Sequence, residues 1–499
     1  MLLGIDQGTT GTTVIAFDDD LRPVARAYRR LESQHPHPGW VEQRPQDILS
    51  GVTEAVGEVL SKIGGPRAVR TAGLTNQGES VLAWDANTGR ALTPVIVWSD
   101  RRASGLIERL RLDGHAPRVR ALTGLELSDY FCAAKFKWLL EHDEPVRLAR
   151  LEGSLRLSTL DTWMALHLGR IAHATDHSTA SRTQLYNLER GGWDDELLEV
   201  FGVPPETLPE IRRSCGDWGA LEHPNWGGPI PWRASLVDQP AALVGNGCVT
   251  PGAMKITYGT GCFALVNAGT AVPSAGSGLL ASVAWSRDGA GLDEAGLDEA
   301  GLDKAGLERS FALDGGVFTA GTAIEWLVGL GLVASAAETS DLAQGASESP
   351  VRFLPAFTGL GAPWWDPQAR GVFAGLTAGT TRAHMVKAVL DGIAFRVTDI
   401  AHAIWNGGTA VPSSIRVDGG LSANAYLMQR QADLLGVPLE VGVQSEATAL
   451  GAAMLAGNVM ESPANMSSLT FEPRLAPDLR EQQYSGWRDW LERAQALGK

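Results

Sequence analysis

The stretch GIDQGTTGTT, residues 4–13, ends an apolar run on Asp6 and then turns through glycines and threonines. Small side chains, backbone N–H groups and hydroxyls are the donors a polyphosphate can use at close approach. Thr9, Thr10 and Gly11 therefore read as a phosphate cradle. Asp6 reads as a carboxylate able to hold a water on Mg²⁺, an ion that usually sits between carboxylates and nucleotide phosphates. One such turn is equally well explained as a tight β-hairpin. A second, YGTGCF at residues 258–263 with Thr260 at its tip, shifts the balance, because phosphates could then be gripped from two sides. A third transition, RVDGGLSANAY at 416–426, sets Gly419 and Gly420 where a flat ring could approach the backbone and Asn424 where it could hydrogen-bond nearby. Adenine is the natural candidate for that ring.

A second set of polar residues falls at the ends of expected strands: Gln77 and Glu79, Trp98 and Asp100, Tyr130, and the pair Asp238 and Gln239. Carboxylates accept hydroxyl protons, and Trp98 or Phe263 could cover the carbon face of a polyhydroxy compound. A carboxylate beside the acceptor of a phosphoryl group can also take the hydroxyl proton during transfer. Ordinary surface loops account for the same spacing, so these residues alone do not decide the matter.

The elements that must position them recur in one order. LLGID and TTVIAF are short β-prone runs joined by the Gly/Thr turn, LRPVARAYRRL supplies a third strand, and PQDILSGVTEAVGEVLSKIGG has the apolar spacing of a helix closed by Gly64 and Gly65. VRTAGLTNQ returns as a strand, DANTGR turns a hairpin, PVIVW follows, and a helix begins near Arg102. In the second half, MKITYGTGCFALVNAG is again strand, turn and strand. GLLASVAWS and SFALDGG extend that sheet, and AGTAIEWLVGLG is a helix with a glycine cap. A long helix from His384, the strand-turn SIRVDGG and the helices YLMQRQADLLG and TALGAAMLAG complete it. The break falls near GNGCVTPG, dividing the chain into residues 1–247, holding the polyol and phosphate side, and 248–499, the nucleotide side. The five-residue repeat at 290–308 fits neither a helix nor a strand period and reads as a solvated loop insertion.

At 499 residues the chain exceeds one compact core, and its composition is that of a globular protein. A net charge of -15, with no long basic run, opposes nucleic acid and anionic membranes as partners. Four scattered cysteines without CxxC spacing predict buried thiols in a reducing compartment, with the cytoplasm as the expected location. No apolar stretch is long enough to predict membrane insertion, and no leader pattern predicts export.

Taken together, GIDQGTTGTT, GWVEQRPQDI, AGLTNQGES, PVIVWSDRR, TDHSTASRTQLYNL, DQPAALVG, KITYGTGCF, PAFTGLGAPWWDPQARG, VDGGLSANAYLMQRQADLLG and EATALGAAMLAG resemble the FGGY carbohydrate kinases, and among them the glycerol-phosphorylating branch. The likeness runs almost the full chain. It implies an α/β, two-domain actin-like ATPase fold (ribonuclease H-like, hexokinase-type) with duplicated mixed sheets that close over Mg-ATP and a small polyol. It further implies Asp238 as the general base and Asp6 as the residue positioning Mg²⁺. Glu79, Trp98, Tyr130, Gln239 and Phe263 would line the polyol pocket. Nucleotide contacts would come from Thr9, Thr10, Gly11, Thr260, Gly321, Gly420 and Asn424, with Glu325 standing where the family usually has glutamine. Members commonly form homodimers or homotetramers, and the resemblance extends that expectation here.

Two further departures matter. Gly78 stands where the glycerol branch has an arginine just before the pocket glutamate, so a hydroxyl donor is absent and the pocket is expected to gain room for a longer polyol. Thr13 stands where the family places an arginine near the phosphates. Among alternatives, a ketose kinase of the same family is disfavoured by TNQGES and by DQ rather than DN at 238 and 239. A non-catalytic regulator or actin-like assembly protein is disfavoured by the retained Asp6, Glu79 and Asp238.

Overall fold

The protein is described by a computed structural model covering residues 1–274, 276, 278–288, 306–442, 446–460 and 468–497. Its first sheet begins with β1 (Leu2–Gly8), β2 (Gly11–Phe17) and β3 (Pro23–Arg30), an antiparallel meander in which Asp6 pairs with Thr13. Helix α1 (Pro45–Ile63) opens on a proline, whose missing N–H costs nothing at a helix start, and closes on Gly64 at φ 87. Its stripe of Ile48, Val52, Val56, Val59 and Leu60 is buried against Leu3 and Ile5 of β1. Strand β4 (Thr71–Asn76) then pairs parallel to β1, and β5 (Ile230–Val237) pairs parallel to β4. Helix α2 (Asp238–Gly245) follows directly.

The second sheet repeats the plan. It contains β6 (Met254–Tyr258), β7 (Cys262–Gly269), β8 (Leu280–Asp288) and β9 (Leu307–Val317). Helices α3 (Gly321–Gly329) and α4 (Arg382–Asn406) follow, the latter opened by a reciprocal cap between Thr381 and His384. Next come β10 (Ile415–Asp418), α5 (Ala425–Leu435), β11 (Leu439–Gly442) and α6 (Ala447–Ala456). Across the first sheet the strands run β5-β4-β1-β2-β3, with the short strand Ala220–Leu221 outside β5. Across the second they run β11-β10-β6-β7-β9, with β8 beyond β9 and Ser468–Phe471 beyond β11. Two sheets of one topology bear out the duplicated order read from sequence.

Most of the repeated tract, residues 290–305, lies outside the described residues; the strands it joins are neighbours, with Asp288 paired to Leu307. The predicted glycine cap of α3 is Gly331, at φ 70, whose N–H reaches Val328 O. Helix α2 ends at Gly245 and β6 begins at Met254, so the stretch GNGCVTPG joins the last helix of the first half to the first strand of the second.

The packing is less simply divided than the chain. Helix α6, from the second half, covers the first sheet: a Cβ built on Gly4 of β1 would lie 2.0 Å from Ala449 O, and one on Gly73 of β4 would lie 2.0 Å from Ala452 O. The same helix meets α2 through mutual glycines, with Gly245 against Ala447 O and Gly451 against Ala241 O. Each half of the chain therefore holds one sheet, but α6 of the second half packs against β1, β4 and α2 of the first.

An insertion between β4 and β5 builds the outer wall of the site. Its small sheet joins Val81–Asp85 to Arg90–Ala91, Val95–Ile96 and Leu155–Thr159, with the edge strand Glu42–Gln43. Among the described residues no helix is long and apolar enough to cross a membrane.

Candidate active site

Between the two sheets lies a cavity of about 170 Å³. Thr9 from the first Gly/Thr turn and Phe263 from the strand leaving the second both reach it, so the two hairpins converge on one space. Glu79, Trp98, Tyr130, Asp238 and Gln239 also line it, which with Phe263 brings together the residues that the family resemblance assigned to the polyol pocket. Trp98 and Tyr130 meet edge to face at 5.6 Å and form an aromatic wall.

Asp238 is the first residue of α2, where strand β5 hands over to the helix. One of its oxygens accepts from the backbone N–H of Gln239 at 2.7 Å. Burial, and then the nearby carboxylates of Glu79 and Asp6, push its pKa up to about 7, against the opposing pull of Lys255. A carboxyl poised there exchanges a proton readily near neutral pH, the property a general base requires. Asp6 accepts from Thr75 Oγ1 at 2.9 Å, and burial lifts it to about 6. The Thr75 bond uses one oxygen of this carboxylate, and a carboxylate is the kind of ligand that Mg²⁺ takes while keeping several of its waters.

Glu79 adopts a left-handed backbone at φ 57, an uncommon conformation for a residue with a side chain. Its carboxylate is held there by Arg182, whose Nε donates to Glu79 Oε1 at 2.6 Å while Nη1 donates to Asp314 Oδ1 at 3.0 Å. Arg182 lies over the rings of Phe131 and Tyr130, at 5.3 Å and 6.0 Å. Lys255 is fully buried and donates to Gln239 Oε1 and Thr257 Oγ1, both at 2.7 Å. Because the Gln239 oxygen is taken, its amide N–H₂ is the end left for a ligand.

Arg182, Asp314, Lys255, Ser282 and Val237 belong to this site and were not picked out from the sequence. Arg182 appeared there only inside a longer motif, and its partners lie 103 and 132 residues away. Two of the candidates read from sequence serve the scaffold instead. Gln77 donates to Gln43 Oε1 at 2.8 Å, buried under the cavity wall. Asp100 anchors Arg102 at 2.8 Å and accepts from Val41 N–H, so its charge is spent on fixing a loop. Gly78 lines the cavity, and a Cβ there would lie 2.7 Å from Val237 Cγ2, so a side chain at this position would have to displace that methyl.

Of the residues expected to touch nucleotide, Thr260 and Gly321 meet at the second turn. Gly321 N–H donates to Gly259 O at 3.1 Å, and Thr260 accepts from Ala320 N–H and Thr322 N–H. Gly419, at φ 91, backs onto Tyr258, whereas Gly420 faces open space, so of the two glycines Gly420 offers the approach a flat ring needs. Asn424 is buried and already occupied: it caps α5 through Leu427 N–H and donates to Thr339 Oγ1 at 2.9 Å. Glu325 is exposed on α3. In the first turn Thr10 is exposed, while Gly11 is closed in by Tyr28 and the Arg29 carbonyl.

Comparison with known proteins agrees with this geometry. Residues 1–245 match the N-terminal domain of the FGGY family of carbohydrate kinases and residues 254–460 match its C-terminal domain. A glycerol kinase of Methylobacterium nodulans is 40% identical over 504 residues, covering 98% of this chain and 97% of that protein. One from Thermus brockianus is 42% identical over 504 residues, covering 99% and 98%. The crystal structure of Plasmodium falciparum glycerol kinase with ADP superposes with a TM-score of 0.87 at 29% identity, covering 99% of this chain and 97% of that one. The convergent hairpins, the carboxylates between them and the match across both halves lead to one conclusion: this chain belongs to the FGGY family of carbohydrate kinases.

Proposed function

We propose that the protein transfers the γ-phosphoryl group of ATP to a primary hydroxyl of glycerol, giving sn-glycerol 3-phosphate, or of a closely related small polyol. The observation that carries this reading is Asp238, with its pKa near 7, standing in one cavity with Glu79, the aromatic wall and the first phosphate turn. An acceptor hydroxyl placed between Asp238 and Glu79 gives its proton to Asp238 as its oxygen attacks phosphorus. Trp98, Tyr130 and Phe263 cover the carbon face and keep out water, which would otherwise compete as acceptor. Thr9, Thr10 and Gly11 would hold phosphate oxygens from one lobe, and Thr260 with Gly321 from the other. Asp6 would hold Mg²⁺ through water, and that ion would neutralise charge on the phosphates. Gly420 would lie against the base.

The curated relatives named above support glycerol as the first acceptor to try. Four free cysteines, three of them buried, fit a reducing cytoplasm as the place of action. A coupled assay of ADP release across C3 to C6 polyols and ketoses tests the proposal. Highest kcat/KM on glycerol or another small polyol supports it. Turnover of ketoses alone, or of nothing in the series, overturns it.

A further inference from the structure

Gly78 gives the acceptor cavity no side-chain donor, and a hydroxyl bound to Glu79 can accept a hydrogen bond at its own oxygen. Arg182 supplies the only arginine on the cavity wall among the described residues. It is 8% exposed, and its bonds to Glu79 and Asp314 use two of its five N–H donors. The remaining donors belong to a guanidinium fixed on both sides by carboxylates and from below by two aromatic rings. On the opposite side, Val237 Cγ2 occupies the space that a side chain at position 78 would enter first. Val237 is β-branched, and its N–H is held by Ser178 Oγ at 3.0 Å, so it does not readily move aside.

We infer that Arg182 is the specificity-determining donor to the acceptor's hydroxyl oxygens in this chain, and that Val237 keeps position 78 free of a side chain so that the donor comes from that wall. The inference rests on the proposed polyol kinase activity and names the chemistry of its acceptor. An acceptor hydroxyl donates its hydrogen bond to Glu79 while Arg182 donates to the same oxygen, and Asp314, at the far end of the guanidinium, accepts from a second hydroxyl. Two carboxylates around one guanidinium favour a neutral polyol and repel an acceptor that carries its own carboxylate.

Four variants test this: Arg182→Lys, Gly78→Arg, Val237→Ala, and Gly78→Arg combined with Val237→Ala. Each is assayed for acceptor KM, ATP KM and thermal midpoint. Losing a charged, geometrically fixed donor predicts that Arg182→Lys raises acceptor KM by about tenfold or more while ATP KM stays within about twofold. Gly78→Arg alone is expected to lower the midpoint and weaken acceptor binding. Adding Val237→Ala should restore the midpoint and bring acceptor KM for glycerol at least about tenfold below that of the single variant. An unchanged acceptor KM in Arg182→Lys overturns the inference. So does a Gly78→Arg enzyme that folds and binds acceptor as well alone as with Val237→Ala, a comparison that holds even if Arg182→Lys does not fold. A native enzyme that phosphorylates no polyol overturns the proposed function together with this inference. Native turnover with indifferent variants overturns this inference alone.

Discussion

Trp98 Nε1 donates to Thr9 Oγ1 at 2.9 Å, joining the aromatic wall of the acceptor cavity to the tip of the first Gly/Thr turn. The Thr9 backbone carbonyl is also held, by Gln43 Nε2 at 2.8 Å. A residue proposed to touch polyol thus orients a residue proposed to touch phosphate, and the contact predicts that loss of the donor is felt at both sites. Trp98→Phe keeps an aromatic face and deletes only the donor. Both ATP KM and acceptor KM are expected to rise, by roughly two- to tenfold, the size of one ordinary hydrogen bond. A rise in acceptor KM alone would show that the two sites are not linked through this contact.

Asp238 gives a pH profile with a defined sign. As a base it must be ionised, so kcat/KM should climb with pH through about 7 and level off above it. Asp238→Asn should cost about two to four orders of magnitude in kcat while ATP binding, followed by calorimetry, stays close to native. Stability moves the other way. A carboxyl whose folded pKa is raised loses its proton first in the unfolded chain, so from about pH 4 up to about 7 its ionisation increasingly favours unfolding. The asparagine variant should therefore match native stability at pH 4 and exceed it at pH 8, by a few kcal/mol at most. A native and variant difference that does not change with pH would mean that burial is not what perturbs Asp238.

How far the sequence could be read depended on distance. The two hairpins, α1 and the order of strands were legible because alternation, helical spacing and turn chemistry act over a few residues. Trp98, Tyr130, Glu79 and Asp238 stood among candidates that ordinary surface loops explained as well, and it was the resemblance along the whole chain that singled them out. The guanidinium of Arg182 was not legible, since Glu79 and Asp314 reach it from elements far apart in the chain and no local spacing marks the meeting. Gln77 and Asp100 looked the same as Glu79 in sequence, yet one turn of the backbone sends them into the scaffold. Helix α6 was recognised as a helix but not placed: it is apolar on every side and so carries no stripe pointing to a partner.

That placement is itself open to test. A Cβ on Gly451 would lie 1.8 Å from Ala241 O, a backbone atom that no rotamer change can relieve. Gly451→Ala should lower stability by at least about 1–3 kcal/mol in urea titration, because α6 must lift from α2. Gly105 is a fair control: it lies in the helix Ser104–Leu112 with nothing within 4 Å of where a Cβ would stand, and alanine there should be neutral or stabilising by up to about 1 kcal/mol. If the two variants behave alike, the close contact between the helices is not present in solution.

Lys255 separates orientation from chemistry. Its Nζ bonds the Gln239 oxygen, and its charge lies between Asp238 of the acceptor cavity and Asp418, the residue before the two glycines. Removing the ammonium has two consequences that can be read separately. Gln239 loses the bond that decides which end of its amide faces the cavity, so acceptor KM should rise by about fivefold or more in Lys255→Met. Asp238 loses a neighbour that lowers its pKa, so the rising limb of the pH profile should move to higher pH. Lys255→Arg keeps the charge with a different reach, and should restore the pH limb while leaving part of the KM defect. A general loss of structure would lower activity at every pH without moving that limb. A shift of the limb in Lys255→Met, reversed in Lys255→Arg, therefore assigns the effect to the charge rather than to packing, and its absence would confine Lys255 to a structural role.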